Sequence, residues 1–409
     1  MKTLSQFVPI ALAGVVAGAF ACGGNSSGPG KQAASVTGVA GDSQVGPTGA
    51  PLDFPLSMTL LGSNGQPVEG VAVKWSAVPS NGASFNPQPS VSDVNGIATT
   101  AVTIGSVLDT IVIKATVPGV AQPVVYHALA VDPCLFARRY TFGATVNGVL
   151  STVDCNAGGY YTDLYAVSFA AQTGVTVNMT GNFDTWIDWY HDNGTALELI
   201  GFHDDIAPPG NLNSRFQAVL AAGDYILAPN TANAGVTGTY QITSSARAER
   251  ASGCGELWVT RGVILADSIA AADCPDSTGV GSYGDSLKIV VRTGTVLKVA
   301  ARSAAVNTRL ALFRVIFKAP PAPDSLVLAA SNDDSLPGTT TDAFLSYTAA
   351  QTALYIIFAG TTGTGQTGPY TLDISSSTTL NGAARSMATR RTRAGALPQL
   401  PTELELRRH

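Results

Sequence analysis

Along the middle of the chain, short runs rich in Val, Ile, Thr, Ala and Tyr alternate apolar with polar positions. Clusters of Gly, Asn, Asp and Pro separate them. Alternation at period two is the signature of a strand with one face buried, and the Gly/Asn/Asp/Pro clusters are turn chemistry. Nowhere does a long Glu/Lys/Leu-rich helical period appear, so the pattern predicts an all-β protein built of sandwiches. In the first stretch, Gly62-Ser63-Asn64-Gly65-Gln66-Pro67-Val68 reads as a turn before the alternating strand Val71-Ala72-Val73-Lys74-Trp75. A second turn, Ser92-Asp93-Val94-Asn95-Gly96, leads into Ala98 to Thr103, and strands from Asp109 to Val117 and from Val124 to Ala130 follow. Trp75 falls on the buried phase of its strand and is expected in the core.

The region from Pro133 to Ser375 repeats itself. Cys134 and Cys254 stand 120 residues apart, and Cys155 and Cys274 stand 119 apart. Tyr161-Thr162-Asp163-Leu164-Tyr165 recurs as Tyr283-Gly284-Asp285-Ser286-Leu287, and Asp204-Asp205 recurs as Asp333-Asp334. Gly238-Thr239-Tyr240 recurs as Gly368-Pro369-Tyr370. The offset grows at one place, the Pro-rich insert Lys318 to Pro323, and a steady offset with one located insertion marks a duplication. Since each Cys has a counterpart, pairing inside each unit, Cys134 with Cys155 and Cys254 with Cys274, is the simplest connectivity. Zinc is the rival use of four Cys, but no pair has short ligand spacing and no His lies near either one.

Three resemblances follow from these residues. The order Asn-Gly-x-Pro-Val-x-Gly-Val-x-Val-x-Trp, Asp-x-Asn-Gly-x-Ala and Ile-Lys-Ala-Thr-Val-Pro-Gly resembles bacterial Ig-like domains of the invasin/intimin type, which implies a spacer or adhesive module over residues 35–132. In the first repeat, Asp163 to Phe169, Phe183-Asp184-Thr185-Trp186-Ile187-Asp188-Trp189-Tyr190-His191-Asp192-Asn193-Gly194, His203-Asp204-Asp205 and the closing Gly-x-Tyr-x-Ile resemble the bacterial pre-peptidase C-terminal domain, a small β-sandwich. Units of this kind span 133–247 and 248–375. The second departs from the pattern, with Asn307 where the first has Asp184. The resemblance implies an accessory or binding module of exported proteins.

The N-terminus changes the picture from fold to location. Lys2 precedes an apolar stretch from Phe7 to Ala21, too short and too Gly/Ala-rich for a membrane span, which is the form of a secretory signal over residues 1–21. Ala19-Phe20-Ala21-Cys22 resembles the bacterial lipobox, although its first position is more often Leu. The resemblance implies lipidation of Cys22, with residues 22–34 as a flexible tether. Gly23 rather than Asp after the Cys favours the outer membrane by the same resemblance. Residues 376–409 lack periodicity and carry six Arg against two Glu, the composition of a disordered basic tail. The remaining 17 basic and 26 acidic residues form an acidic body, which argues against nucleic acid as a partner.

Candidate chemistry concentrates in the first repeat. Asp184, Asp188, Asp192, Asp204 and Asp205 crowd a few turns among Trp186, Trp189 and Phe202. Hard oxygen donors from adjacent loops suit Ca²⁺, so Asp184, Asp204 and Asp205 are the candidate ligands. Trp186 and Trp189 are the candidate platform for a sugar ring. The plainer alternative makes Asp-Asn-Gly a hairpin turn and Asp-Asp a solvated loop, with alternation burying some of the aromatics. His191 and His203 lack regular ligand spacing. Gly284-Asp285-Ser286-Leu287 spells a hydrolase signature, but a serine nucleophile needs a His, and the only one downstream is His409. Gly24-Asn25-Ser26-Ser27-Gly28 lies in the tether with neither strand nor helix beside it. The sequence therefore predicts a non-catalytic, lipid-anchored envelope protein that binds glycans or surface proteins, with an accessory role beside a secreted peptidase or other hydrolase as the alternative.

Overall fold

Every alternating run becomes a strand in the computed structural model, which describes residues 31–376 apart from 208–209, 250–253, 255–256, 276–281, 319–321 and 336–339. The leader, Cys22, the tether up to residue 30 and the basic tail from 377 onward lie outside the described residues. The protein is all-β: an Ig-like sandwich followed by two tandem β-sandwich units.

In the first sandwich, Ser35–Ala40, Leu56–Leu61, Ile97–Ile104 and Ala83–Asn86 form one sheet. Gln44–Pro47, Val124–Val131, Asp109–Thr116, Ala72–Val78 and Ser90–Val91 form the other. Burial along Ala72–Val78 switches at every residue, so Val73, Trp75 and Ala77 enter the core while Lys74 and Ser76 face solvent. Trp75 is buried as expected, and its indole Nε1 donates to Ser90 Oγ at 2.8 Å. The Asn64-Gly65 and Asn95-Gly96 turns place both glycines at positive φ, where a Cβ is costly.

The duplication is visible strand by strand. Arg138–Arg139, Tyr165–Phe169, Gly223–Thr231, Thr185–Asp192 and Leu197–His203 neighbour one another in the first unit. Leu257–Val259, Tyr283–Val291, Ala353–Thr361, Thr308–Ile316 and Ser325–Asn332 follow the same order in the second. Even the β-bulge is duplicated, at Trp189/Tyr190 and at Leu312/Phe313. The Pro-rich insert falls in sequence between Thr308–Ile316 and Ser325–Asn332, with 319–321 outside the described residues. Disulfides join Cys134 to Cys155 and Cys254 to Cys274, as the repeat argument requires.

What the sequence did not announce is how the units meet. Leu257–Val259 runs parallel to Ser214–Leu220 of the first unit on one edge and to Tyr283–Val291 of its own unit on the other. One ten-stranded sheet therefore passes through both units. Leu257 and Val259 enter the core of the second unit, while Trp258 stacks on Phe216 in the core of the first at 6.0 Å between ring centroids. The exchange is reciprocal, because Val219 and Ala221 join the second core and Leu354 the first. Glu198 locks the seam: it accepts from Arg261 at 2.7 Å and lies 3.8 Å from Arg292, with all three side chains largely buried.

Candidate functional site

Asp184 lies just before the strand Thr185–Asp192, and Asp204 and Asp205 lie just after its hairpin partner Leu197–His203. Because Ile187 pairs with His203, the two ends come together at the open end of the hairpin. One carboxylate oxygen from each of Asp184, Asp204 and Asp205 falls within 4.8 Å of the others. The backbone holds them there: Ala232 N donates to Asp184 O at 3.0 Å, and Ile206 N donates to Asn213 O at 2.8 Å.

The electrostatics of this trio are unfavourable as they stand. Asp184, Asp204 and Asp205 each leave Oδ1 buried without a hydrogen-bond partner. Burial, and then the charges of Asp205 and Asp184, push the Asp204 carboxyl up to about 6. Asp184 is raised as well, by burial and by Asp205, with Asn233 donating to its other oxygen at 3.3 Å. Three carboxylates this close together, each with an oxygen that no donor meets, have the chemistry of a site for a hard divalent cation. Among the described residues this is the one such group of acids. At the matching place in the second unit Asn307 replaces Asp184, and its Oδ1 is likewise buried and unpartnered.

The other acids of the cluster serve the fold. Asp188 is fully buried; its carboxylate accepts from Trp186 Nε1 at 2.9 Å and from Asn230 Nδ2 at 2.8 Å. Asp192 accepts from Gly194 N, and Asn193 Oδ1 accepts from the backbone of Thr195 and Ala196. Asp192-Asn193-Gly194 is thus the hairpin turn of the plainer reading. His191 pairs with Glu198 and His203 with Ile187, so the two imidazoles sit at opposite ends of the strand pair.

The aromatic platform needs correction. Trp189 is fully buried and stacks on Phe216 at 5.5 Å, and Trp186 is 9% exposed and stacks on Phe202 at 5.3 Å. Neither offers a ring face to a sugar. Every residue of Thr185–Asp192 is buried, because sheet packing covers one face of the strand and further apolar side chains, Leu164, Leu197 and Leu199 among them, cover the other. Alternation alone could not show that both faces are covered.

The hydrolase-like signature is explained by the strand Tyr283–Val291. Asp285 is 2% exposed and accepts from Tyr370 Oη at 2.6 Å. Its counterpart Asp163 accepts from Tyr240 Oη at 2.5 Å, with no Ser following it. The aspartate of the signature is a duplicated structural anchor. The Gly-x-Ser-x-Gly match in the tether lies outside the described residues.

No family model and no curated protein matches the chain. Among solved structures, the pre-peptidase C-terminal domain of a Bacillus anthracis collagenase is 15% identical over 27% of this chain and 95% of that one, with a TM-score of 0.23. Invasin, a bacterial integrin-binding protein, is 14% identical over 83% of this chain and 56% of that one, at 0.19. A carbohydrate-binding module of the β-sandwich superfamily is 10% identical over 84% and 97%, at 0.17. At these identities and scores the likenesses say nothing about what this chain binds.

Proposed function

We propose that this chain is a non-catalytic display protein of the bacterial envelope, exported, lipid-anchored at Cys22, and holding its β-sandwich modules away from the membrane for binding to surface partners. Two disulfides support folding in an oxidising compartment. Within it the first repeat carries a Ca²⁺ site at Asp184, Asp204 and Asp205. The observation that supports the site is the convergence of three carboxylates, each with a buried oxygen that no protein donor meets. A cation there supplies the missing partner and offsets the mutual repulsion, so the binding loops of the first unit order around it.

Isothermal calorimetry of the chain with CaCl₂ tests the site. We expect one saturable event per chain, abolished by Asp204→Asn, and a melting temperature several degrees higher in calcium than in chelator. A ligand that binds only the folded state adds about 2.7 kcal/mol at a hundredfold excess over Kd. No heat, with equal melting temperatures in both buffers, returns the three acids to turn chemistry.

A further inference from the structure

Among the described residues His191 is the one buried histidine, and it lies where the two units meet. With Glu198 of the first unit and Thr260, Arg261 and Arg292 of the second, it lines a cavity of about 20 Å³, room for about one water molecule. Its Nδ1 is buried and meets no hydrogen-bond partner. His191 and Glu198 stand opposite each other on paired strands, which sets their Cβ atoms about 5 Å apart. The Glu198 carboxylate meets other groups instead: Arg261 at 2.7 Å, Arg292 at 3.8 Å and Asn193 Nδ2 at 2.8 Å. The second unit lacks the pair, since the positions that the shared bulge matches to it are Arg314 and Val327.

The charges around the imidazole decide what a proton does there. Asp192 follows it on its own strand, Glu198 comes from Leu197–His203, and Asp224 comes from Gly223–Thr231, whose Tyr225 ring meets the imidazole edge-on at 5.3 Å. Arg261 and Arg292 come from the second unit. Burial holds the imidazole below its usual range and Arg261 adds to this, against the pull of Glu198, Asp192 and Asp224. Side chains alternate along a strand, so Asp192 and Asp224 project from the opposite face, where they accept from the Gly194 amide and the Ser168 hydroxyl. Glu198 shares the face of His191, and it is also the carboxylate that joins the units.

We infer that His191 is an acid-operated latch of the seam: on taking up a proton it draws Glu198 away from Arg261 and Arg292, and the second unit loosens on the first. An ion pair between units becomes a histidine–glutamate pair within one. Arg261 and Arg292 are then left beside a further positive charge, in a space too small to hydrate all three. The strand Leu257–Val259 and the Trp258 indole remain to hold the units together. The direction follows from which state binds the proton more tightly. With the imidazole held below its usual range in the closed seam, that state is the open one. Closure is therefore strongest at neutral pH and weakens as pH falls below about 6.5, where a solvated histidine titrates.

Global stability does not isolate the latch, because the raised carboxyls of Asp163 and Asp204 respond to acid with the opposite sign. Local hydrogen exchange does. It is read by mass spectrometry on the whole chain carrying Cys22→Ser, in chelator at about pH 7.5 and about pH 5, with labelling times scaled for intrinsic exchange. We expect the peptide from Leu257 to Gly262 to lose protection severalfold in acid, while Asp109–Thr116 of the Ig-like sandwich keeps its own. His191→Phe, which leaves a ring against Tyr225, and His191→Gln stay protected at both values. Glu198→Gln, without the ion pair, is weakly protected at both. Equal protection of the parent at the two values overturns the inference, and so does an acid loss that persists in His191→Phe or His191→Gln. A Glu198→Gln chain as well protected as the parent at neutral pH does the same. Melting curves at neutral pH identify the variants that are folded, and either His191 variant alone decides the outcome.

Discussion

Tyr370 donates its hydroxyl hydrogen to Asp285 inside the second unit just as Tyr240 does to Asp163 inside the first. Each pair ties the closing strand of its unit to the other sheet: Asp285 lies in Tyr283–Val291, and Asp163 just before Tyr165–Phe169. Burial and the neighbouring carboxylate both raise the Tyr370 hydroxyl well above its usual range, so it stays a donor. Tyr370→Phe leaves Asp285 buried without that donor, and we expect a loss of about 1–3 kcal/mol in urea unfolding. Ser286→Ala, in contrast, leaves both stability and any ester-hydrolysis background unchanged. A Tyr370→Phe protein as stable as the parent contradicts the anchor.

Asp163 sets a pH dependence. Burial, helped by the Asp154 charge, raises its carboxyl to about 6, opposed by the Tyr240 hydrogen bond and by Arg138. A carboxyl with a folded value above its unfolded one holds protons more tightly when folded, so stability falls as pH rises from about 4 through about 6. We expect the chemical-denaturation midpoint, measured in chelator, to decline across that window, Asp163→Asn to make the decline shallower, and the remainder to disappear when Asp204→Asn is added. A slope unchanged by Asp163→Asn places the titrating group elsewhere.

The seam between the units makes a third expectation. Trp258 lies in the strand that leads the second unit but packs in the core of the first, so Trp258→Ala opens a cavity in one unit and loosens the other. A cost of about 3–5 kcal/mol is usual for such truncations. Calorimetry of the parent is expected to show the two units melting as one transition, and Trp258→Ala to split it in two. A variant that still melts in a single transition speaks against the shared strand as the coupling element.

Anchoring is tested separately. Cys22→Ser is expected to move the chain from the detergent phase to the aqueous phase on phase separation of whole-cell extracts, since a triacylated Cys supplies the chains that stable anchoring needs. Equal partitioning of parent and variant rejects the lipobox reading.

Much of this architecture was legible because its signals are local. Turn residues and period-two alternation marked Ala72–Val78, Asp109–Thr116 and Val124–Val131, and the cysteine spacing marked the duplication and its pairing. Trp258 was not legible. Leu-Trp-Val is a short apolar run, and nothing in three residues tells which two strands from separate units will flank it. The acidic trio was legible as a composition of turns, but its unpartnered oxygens became visible only once the hairpin closed. Trp186 and Trp189 misled for the opposite reason, because a strand covered on both faces has no exposed phase.

The strand Leu257–Val259 pairs with a strand of each unit inside one continuous sheet, and this gives the chain a mechanical property. A pair of sandwiches joined only by a linker swivels, and its far tip samples a sphere. Here the hydrogen-bond ladder runs unbroken from one unit into the next, with an indole wedged across the joint and Glu198 pinned by two guanidinium groups. The tandem is a stiff arm, and the distance it sets between its two ends is fixed by the fold rather than by thermal wandering.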